Sequence, residues 1–264
     1  MRNSFTLYGS LILCGLLAAC SSSPKIGEYA VHNSIQSEGQ NSRVRHIVLH
    51  YTSADTATSI KVLTQKNVSS HYLITDESPP KLYQFVDENK RAWHAGVSQW
   101  RDYVDLNTSS IGIEVVNAGR LANGDWAPYQ PAQTQLLITL LQDIIERHRV
   151  TPANIIGHSD IAPQRKIDPG PLFPWADLAA AGIGRWYDTR AAQTYQQQLE
   201  QFGLPSTLEI QQLLQKAGYH VPQHGQWDKA SQNVFAAFQM HYRPSRYDGV
   251  PDAQSIGILK ALRE

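Results

Sequence analysis

Cysteine is almost missing from this chain: only Cys14 and Cys20 occur in 264 residues, both near the amino end. A folded body without cysteine has no disulfide framework, so packing and any bound metal must hold it together. An excess of either charge is missing too. Lys plus Arg and Asp plus Glu both number 23, a formal net charge of zero, and no basic stripe stands out. Nucleic acid is therefore a poor expectation for a partner. The apolar stretch near the start, Phe5 to Ala19, is uncharged but falls short of the ~20 residues that a membrane-spanning helix needs. What is present is the composition of a globular protein, 42% hydrophobic and 17% charged, with six Trp and twelve Tyr. That content supports a real core and argues against disorder over most of the length. The length allows one mid-sized domain with a smaller one beside it, or one large domain.

The first twenty residues have the layout of a signal peptide: Arg2 as a positive start, the apolar stretch, then small residues. They end in Leu17-Ala18-Ala19-Cys20, which resembles a lipobox, the processing site of bacterial lipoproteins. The resemblance implies that residues 1–20 carry the export signal and that Cys20, freed by cleavage, becomes an acylated amino terminus. Several acyl chains on one residue anchor stably, which a single chain does not. Ser21, rather than Asp, follows the cysteine. By similarity to lipoprotein sorting signals, this points to the outer membrane of the bacterial cell envelope, with the protein facing the periplasm. Residues 21–42, rich in Ser, Gly, Asn and Gln, read as a tether.

Beyond the tether the pattern alternates between strand and helix. Arg45 to Tyr51 and Ser110 to Val116 are short apolar, β-branched runs of the kind that form buried strands. His71 to Thr75 and Lys81 to Val86 read as strands joined by a turn at Pro79-Pro80. Ala57 to Gln65 suits a helix. The clearest helix lies between Pro131 and Arg149, where Leu136, Leu137, Leu140, Leu141, Ile144 and Ile145 recur at helical spacing. Asn154 to Gly157 returns as a strand, and a Pro- and Gly-bearing loop is expected from His158 to Trp175. These alternations predict an α/β domain over 43–190, a central mixed β-sheet flanked by helices. A linker helix over 191–205 and a small all-α unit of three helices over 206–264 are expected to follow.

Chemistry concentrates in the segment Gly157 to Pro171, which brings His158, Lys166 and Asp168 onto one irregular stretch after a strand. His50 ends the first strand and could join them. Two imidazoles and a carboxylate suit zinc with one position left open, and bound zinc lowers the pKa of water to about 7. Spacing alone does not select these ligands. There are ten histidines, and His46 shares a strand face with His50. Asp160 equally suits a cap on the following turn. Glu114 is a carboxylate inside an apolar strand, costly unless paired or functional.

Several segments together resemble the type-2 N-acetylmuramoyl-L-alanine amidases, a family that includes the peptidoglycan recognition proteins. They are Val48 to Thr52, Arg91 to Gly96, Ser110 to Glu114, Gly157 to Pro163 and Lys166 to Pro171, in order across about residues 43–180. The resemblance implies one zinc ion per chain held by His50, His158 and Asp168, with Asp168 standing where several members have Cys. It implies Glu114 as the general base and Lys166 as the residue that stabilises the oxyanion. Trp93 and His94 are expected to line the groove, though Trp93 equally suits a core. The implied substrate is peptidoglycan or its muropeptides, cut between N-acetylmuramic acid and L-alanine.

Leu208 to Gly218, Gly225 to Asp228, Val234 to Gln239 and Tyr247 to Pro251 resemble a three-helix peptidoglycan-binding domain. Lys229-Ala230-Ser231 departs from that pattern, which usually has Thr after the turn. On this reading a chain ending near residue 190 is expected to fold and to cleave small muropeptides; a brace for the catalytic part is the alternative. Two functional alternatives stand beside the amidase: a wall-binding recognition module without catalysis, and a zinc peptidase acting within the stem peptide.

Overall fold

The structure, a computed structural model, describes residues 24–263. The expected signal peptide and Cys20 lie outside the described residues. The chain divides into two compact units, at Asn41 and Ser42. In the first, β1 (Lys25–Ile26) pairs antiparallel with β2 (Tyr29–Ala30) across Gly27. That small hairpin stands within a stretch expected to be a featureless tether.

The second unit carries β3 (His46–Tyr51), α1 (Thr56–Leu63), β4 (Tyr72–Ile74), β5 (Leu82–Gln84), β6 (Gln99–Trp100), β7 (Tyr103–Val104) and β8 (Ser110–Val115). Then come α2 (Pro131–His148), β9 (Ile155–Gly157), α3 (His158–Ile161), α4 (Trp175–Ala180), α5 (Thr189–Phe202), α6 (Thr207–Ala217), α7 (Lys229–Tyr242) and α8 (Ala253–Lys260). Five strands form one sheet in the order β5-β4-β8-β3-β9, parallel except at the β5 edge. This is the expected mixed sheet flanked by helices. No helix among the described residues is long and apolar enough to cross a membrane.

Both faces of the sheet are covered, so β3 and β8 are almost wholly buried: one face is apolar, and the other carries His46, His50, Ser110 and Glu114 beside Val48. Ile47, Leu49, Ile111 and Ile113 pack against Leu137, Leu141 and Ile144 of α2. Pro131 opens α2, and its Gln133 amide donates to the carbonyls of Val116 and Thr75, fixing the helix to the strand ends. The other face holds Val48 and Ile156, whose core runs on through Trp100 and Ile161 into Leu214, Tyr219, Phe235, Phe238 and Ile256. The C-terminal helices therefore share a core with the sheet.

The segment after β9 differs from the loop expected there. α3 begins at His158 because Ala162 N–H returns to the His158 carbonyl while the Asp160 carboxylate accepts from Gly157 N–H at 2.8 Å. Asp160 does cap this turn, and it does more. Fully buried, it also accepts from the Tyr219 hydroxyl at 2.8 Å and faces His241 Nδ1 at 2.8 Å. The His241 ring in turn stacks on Trp175 with centroids 3.7 Å apart. A buried carboxylate is costly without such partners. Two of its three come from the C-terminal region, Tyr219 just after α6 and His241 in α7, and they tie α3, and so His158, into place. Gly218 fits the same junction: a Cβ there would come within 2.6 Å of the Trp100 ring.

Candidate active site

Parallel pairing lines up the site residues before any loop contributes. In the order β8-β3-β9, Glu114 and His50 are register partners near the carboxyl ends of neighbouring strands, and His158 directly follows the third. The carboxyl ends of parallel strands are where such sheets collect ligands. Asp168 closes the group from the loop beyond α3. Its Oδ2 lies 2.9 Å from His50 Nδ1 and 3.0 Å from His158 Nδ1. One ligand atom from each of the three lies within 4.8 Å of the others, and all three residues are buried. His46, the rival on β3, points to Ser109 and Tyr103 instead.

The proton inventory asks for a cation here. His158 Nε2 sits 3.0 Å from the Ala95 carbonyl, which can only accept, so that nitrogen carries hydrogen. A neutral ring then turns a lone pair from Nδ1 toward the Asp168 carboxylate, where two electron-rich atoms meet. A second proton or a metal ion relieves the repulsion. Burial opposes the proton at the neighbouring ring: desolvation and the adjacent His158 lower His50 to about 4. Burial alone would raise Asp168, but the two imidazoles facing it hold its carboxyl well below the usual range. Two neutral imidazoles and an ionised carboxylate are the ligand set that suits zinc.

A cavity of about 390 Å³ opens over this group, and Glu114, Lys166, Trp93 and His94 line it. Glu114 Oε2 is buried with no hydrogen-bond partner. Burial, reinforced by the Asp168 charge and opposed by Lys166, pushes its carboxyl well above the ordinary range. An unpaired buried carboxylate oxygen beside a ligand cluster is poised to take up a proton. Trp93 is 51% exposed in this cavity, so it is wall rather than core. His94 does more than line the groove: its Nδ1 lies 3.0 Å from His50 Nε2. That contact spans 44 residues and leaves no trace in local spacing. The isolated Gly112 inside β8 was the available signal, because a strand glycine often marks close approach of another group.

The N-acetylmuramoyl-L-alanine amidase family matches residues 40–171. AmiD of Escherichia coli strain K12, an N-acetylmuramoyl-L-alanine amidase, is 40% identical over all of this chain and 98% of its own length. The chain belongs to the N-acetylmuramoyl-L-alanine amidase family. A peptidoglycan binding domain family matches residues 204–259 of this amidase. Two solved structures share its fold. AmpDh3 from Pseudomonas aeruginosa, in complex with an anhydromuramic pentapeptide, superposes with TM-score 0.83 at 39% identity, over 89% of this chain and 97% of that one. AmiD from E. coli, in complex with the substrate anhydro-N-acetylmuramic acid-L-Ala-D-gamma-Glu-L-Lys, gives 0.80 at 40% identity, over 91% and 96%.

Proposed function

We propose that this amidase hydrolyses the bond between N-acetylmuramic acid and L-alanine in peptidoglycan or muropeptides, with zinc held by His50, His158 and Asp168. The convergence of these three ligand atoms beneath the unpaired Glu114 oxygen carries the reading. Zinc bound there supplies Lewis acidity, polarising the scissile carbonyl and acidifying water. Glu114 takes the proton from the attacking water. Its raised proton affinity makes it the stronger base, and it then delivers that proton to the departing L-alanine nitrogen. The Lys166 ammonium faces the cavity and stabilises the negative charge that gathers on the amide oxygen. Trp93 offers a flat wall to the sugar or the peptide.

The C-terminal helices extend contact with the polymer, as the peptidoglycan binding domain match over 204–259 suggests. On the lipobox likeness, Cys20 anchors the chain in the outer membrane; Cys20→Ala should leave an unprocessed precursor. Mass spectrometry of products from sacculi and from anhydromuropeptides, with and without chelator, tests the activity. Peptides beginning with free L-alanine, formed only with metal, are the expected result. Cleavage inside the stem peptide, or no cleavage, overturns the proposal.

A further inference from the structure

We infer that His94 and Ser110 form a hydrogen-bond relay that sets the tautomer of His50 and aims its Nδ1 lone pair at the metal site. The inference deepens the zinc reading above and rests on it. The chain of contacts starts at a group with only one possible role. The Leu106 carbonyl can only accept, and Ser110 Oγ lies 2.6 Å from it, so the hydroxyl hydrogen is committed there. Ser110 Oγ must therefore accept from its other neighbour, His94 Nε2, at 3.1 Å. With its hydrogen on Nε2, the neutral His94 ring presents a lone pair at Nδ1. That lone pair faces His50 Nε2 at 3.0 Å, so His50 donates from Nε2. The remaining nitrogen of His50, Nδ1, is left without hydrogen and points at Asp168 Oδ2. Each donor in the series meets one acceptor. The series assigns the same tautomer to His50 that the Ala95 carbonyl assigns to His158.

The sheet is built around this relay. Ser110, Gly112 and Glu114 alternate along β8 onto the face that His50 shares, and His94 lies flat over the gap between Ser110 and Glu114. A Cβ at Gly112 would fall 2.4 Å from the His94 ring. Asn107 fixes the backbone that carries the ring, its carboxamide oxygen accepting from the N–H groups of His94 at 3.0 Å and Ala95 at 2.7 Å. His94 thus acts through His50 as a positioning residue. Partners that hold a metal-ligating histidine in one tautomer commonly change metal affinity about 10–100-fold when removed.

The test uses the full chain loaded with zinc. His94→Phe keeps a ring over Gly112 and removes the acceptor. Zinc affinity by chelator competition should fall about 10–100-fold, and the hydrogen on His50 Nε2, followed by ¹⁵N-edited NMR, should lose its hydrogen-bonded signature. His94→Asn, which can return an acceptor near the Nδ1 position, should recover part of both. Ser110→Ala should shift them in the same direction by less. Melting temperatures of the metal-free variants separate a misfolded chain from a misdirected ligand. His94→Phe that holds zinc as tightly as wild type, or wild-type His50 carrying its hydrogen on Nδ1 in the zinc complex, overturns the relay. A wild-type protein that retains no zinc overturns the metal reading beneath it.

Discussion

Removing one hydroxyl tests how firmly the C-terminal helices hold the catalytic loop. In Tyr219→Phe the ring stays packed against Trp100, with centroids 5.0 Å apart, but Asp160 loses its 2.8 Å donor. A hydrogen bond to a charged group contributes about 1.5–3 kcal/mol. In a unit of this size each kcal/mol moves the melting temperature by about 2–4 °C. The variant should therefore melt about 3–12 °C lower. Ending the chain after residue 190 removes Tyr219 and His241 together and leaves Asp160 buried against the Gly157 N–H alone. Orphaning a buried charge costs about 3–5 kcal/mol. Uncovering the Trp100 face adds about 2 kcal/mol at 25 cal/mol per Å². Against a typical net stability of about 5–15 kcal/mol, the truncated chain should lose most of its cooperative transition. That outcome differs from the independent folding expected where the amidase resemblance fades near residue 180 and follows the brace alternative, because the shared core and Asp160 bridge are long-range features. Differential scanning calorimetry on the three proteins measures both effects. A truncated chain that melts within a few degrees of wild type, or a Tyr219→Phe protein with an unchanged transition, would refute the bridge.

Glu114→Gln should keep its zinc by elemental analysis while turnover falls by about 100-fold or more, since the shape survives and the proton acceptor does not. Near-normal turnover would remove Glu114 from the mechanism. Asp168→Ala should lose metal before it loses fold, because one of three proposed ligands is gone; chelation should silence the wild type and zinc restore it. Glu88, half-buried among Arg147, His148 and Tyr72, offers a pH test. Burial alone would raise its carboxyl, but those partners lower it to about 2. A depressed acid stabilises the fold above its unfolded pKa, and that stability is lost as pH falls. The melting-temperature gap between wild type and Glu88→Gln should therefore be full at pH 6 and shrink between about pH 4.5 and 2. A gap independent of pH would sink the assignment.

Much of the site was legible because its strand-borne part obeys local rules. β3 and β8 are buried on both faces and so read as continuous apolar runs, with His50 and Glu114 conspicuous inside them. α2 declared itself by its leucines and isoleucines, and the small C-terminal helices by their spacing. What stayed hidden depends on partners distant in sequence. Nothing near Asp160 indicates that its donors lie 59 and 81 residues downstream. His94 looked like a groove residue until β8 brought Ser110, and β3 brought His50, to its two nitrogens. The α3 turn was only half legible: Asp160 suits a cap, and does cap Gly157 N–H, but Pro163 and Gly170 nearby suggest a loop rather than a helix.

The Asp160 bridge also bears on the order in which the protein can be made. Chains emerge from the ribosome amino end first. β9 and α3 are therefore present well before Tyr219, and earlier still than His241. Until those residues arrive, all five strands of the sheet are present, but α3 beside them carries a carboxylate that is costly to bury alone. Hydrophobic closure over α3 should therefore lag until Tyr219 and His241 can supply the missing donors. Nascent chains that stall before α7 should remain sensitive to protease across the His158 loop, and completion of the carboxyl end would act as the final assembly step of the catalytic centre.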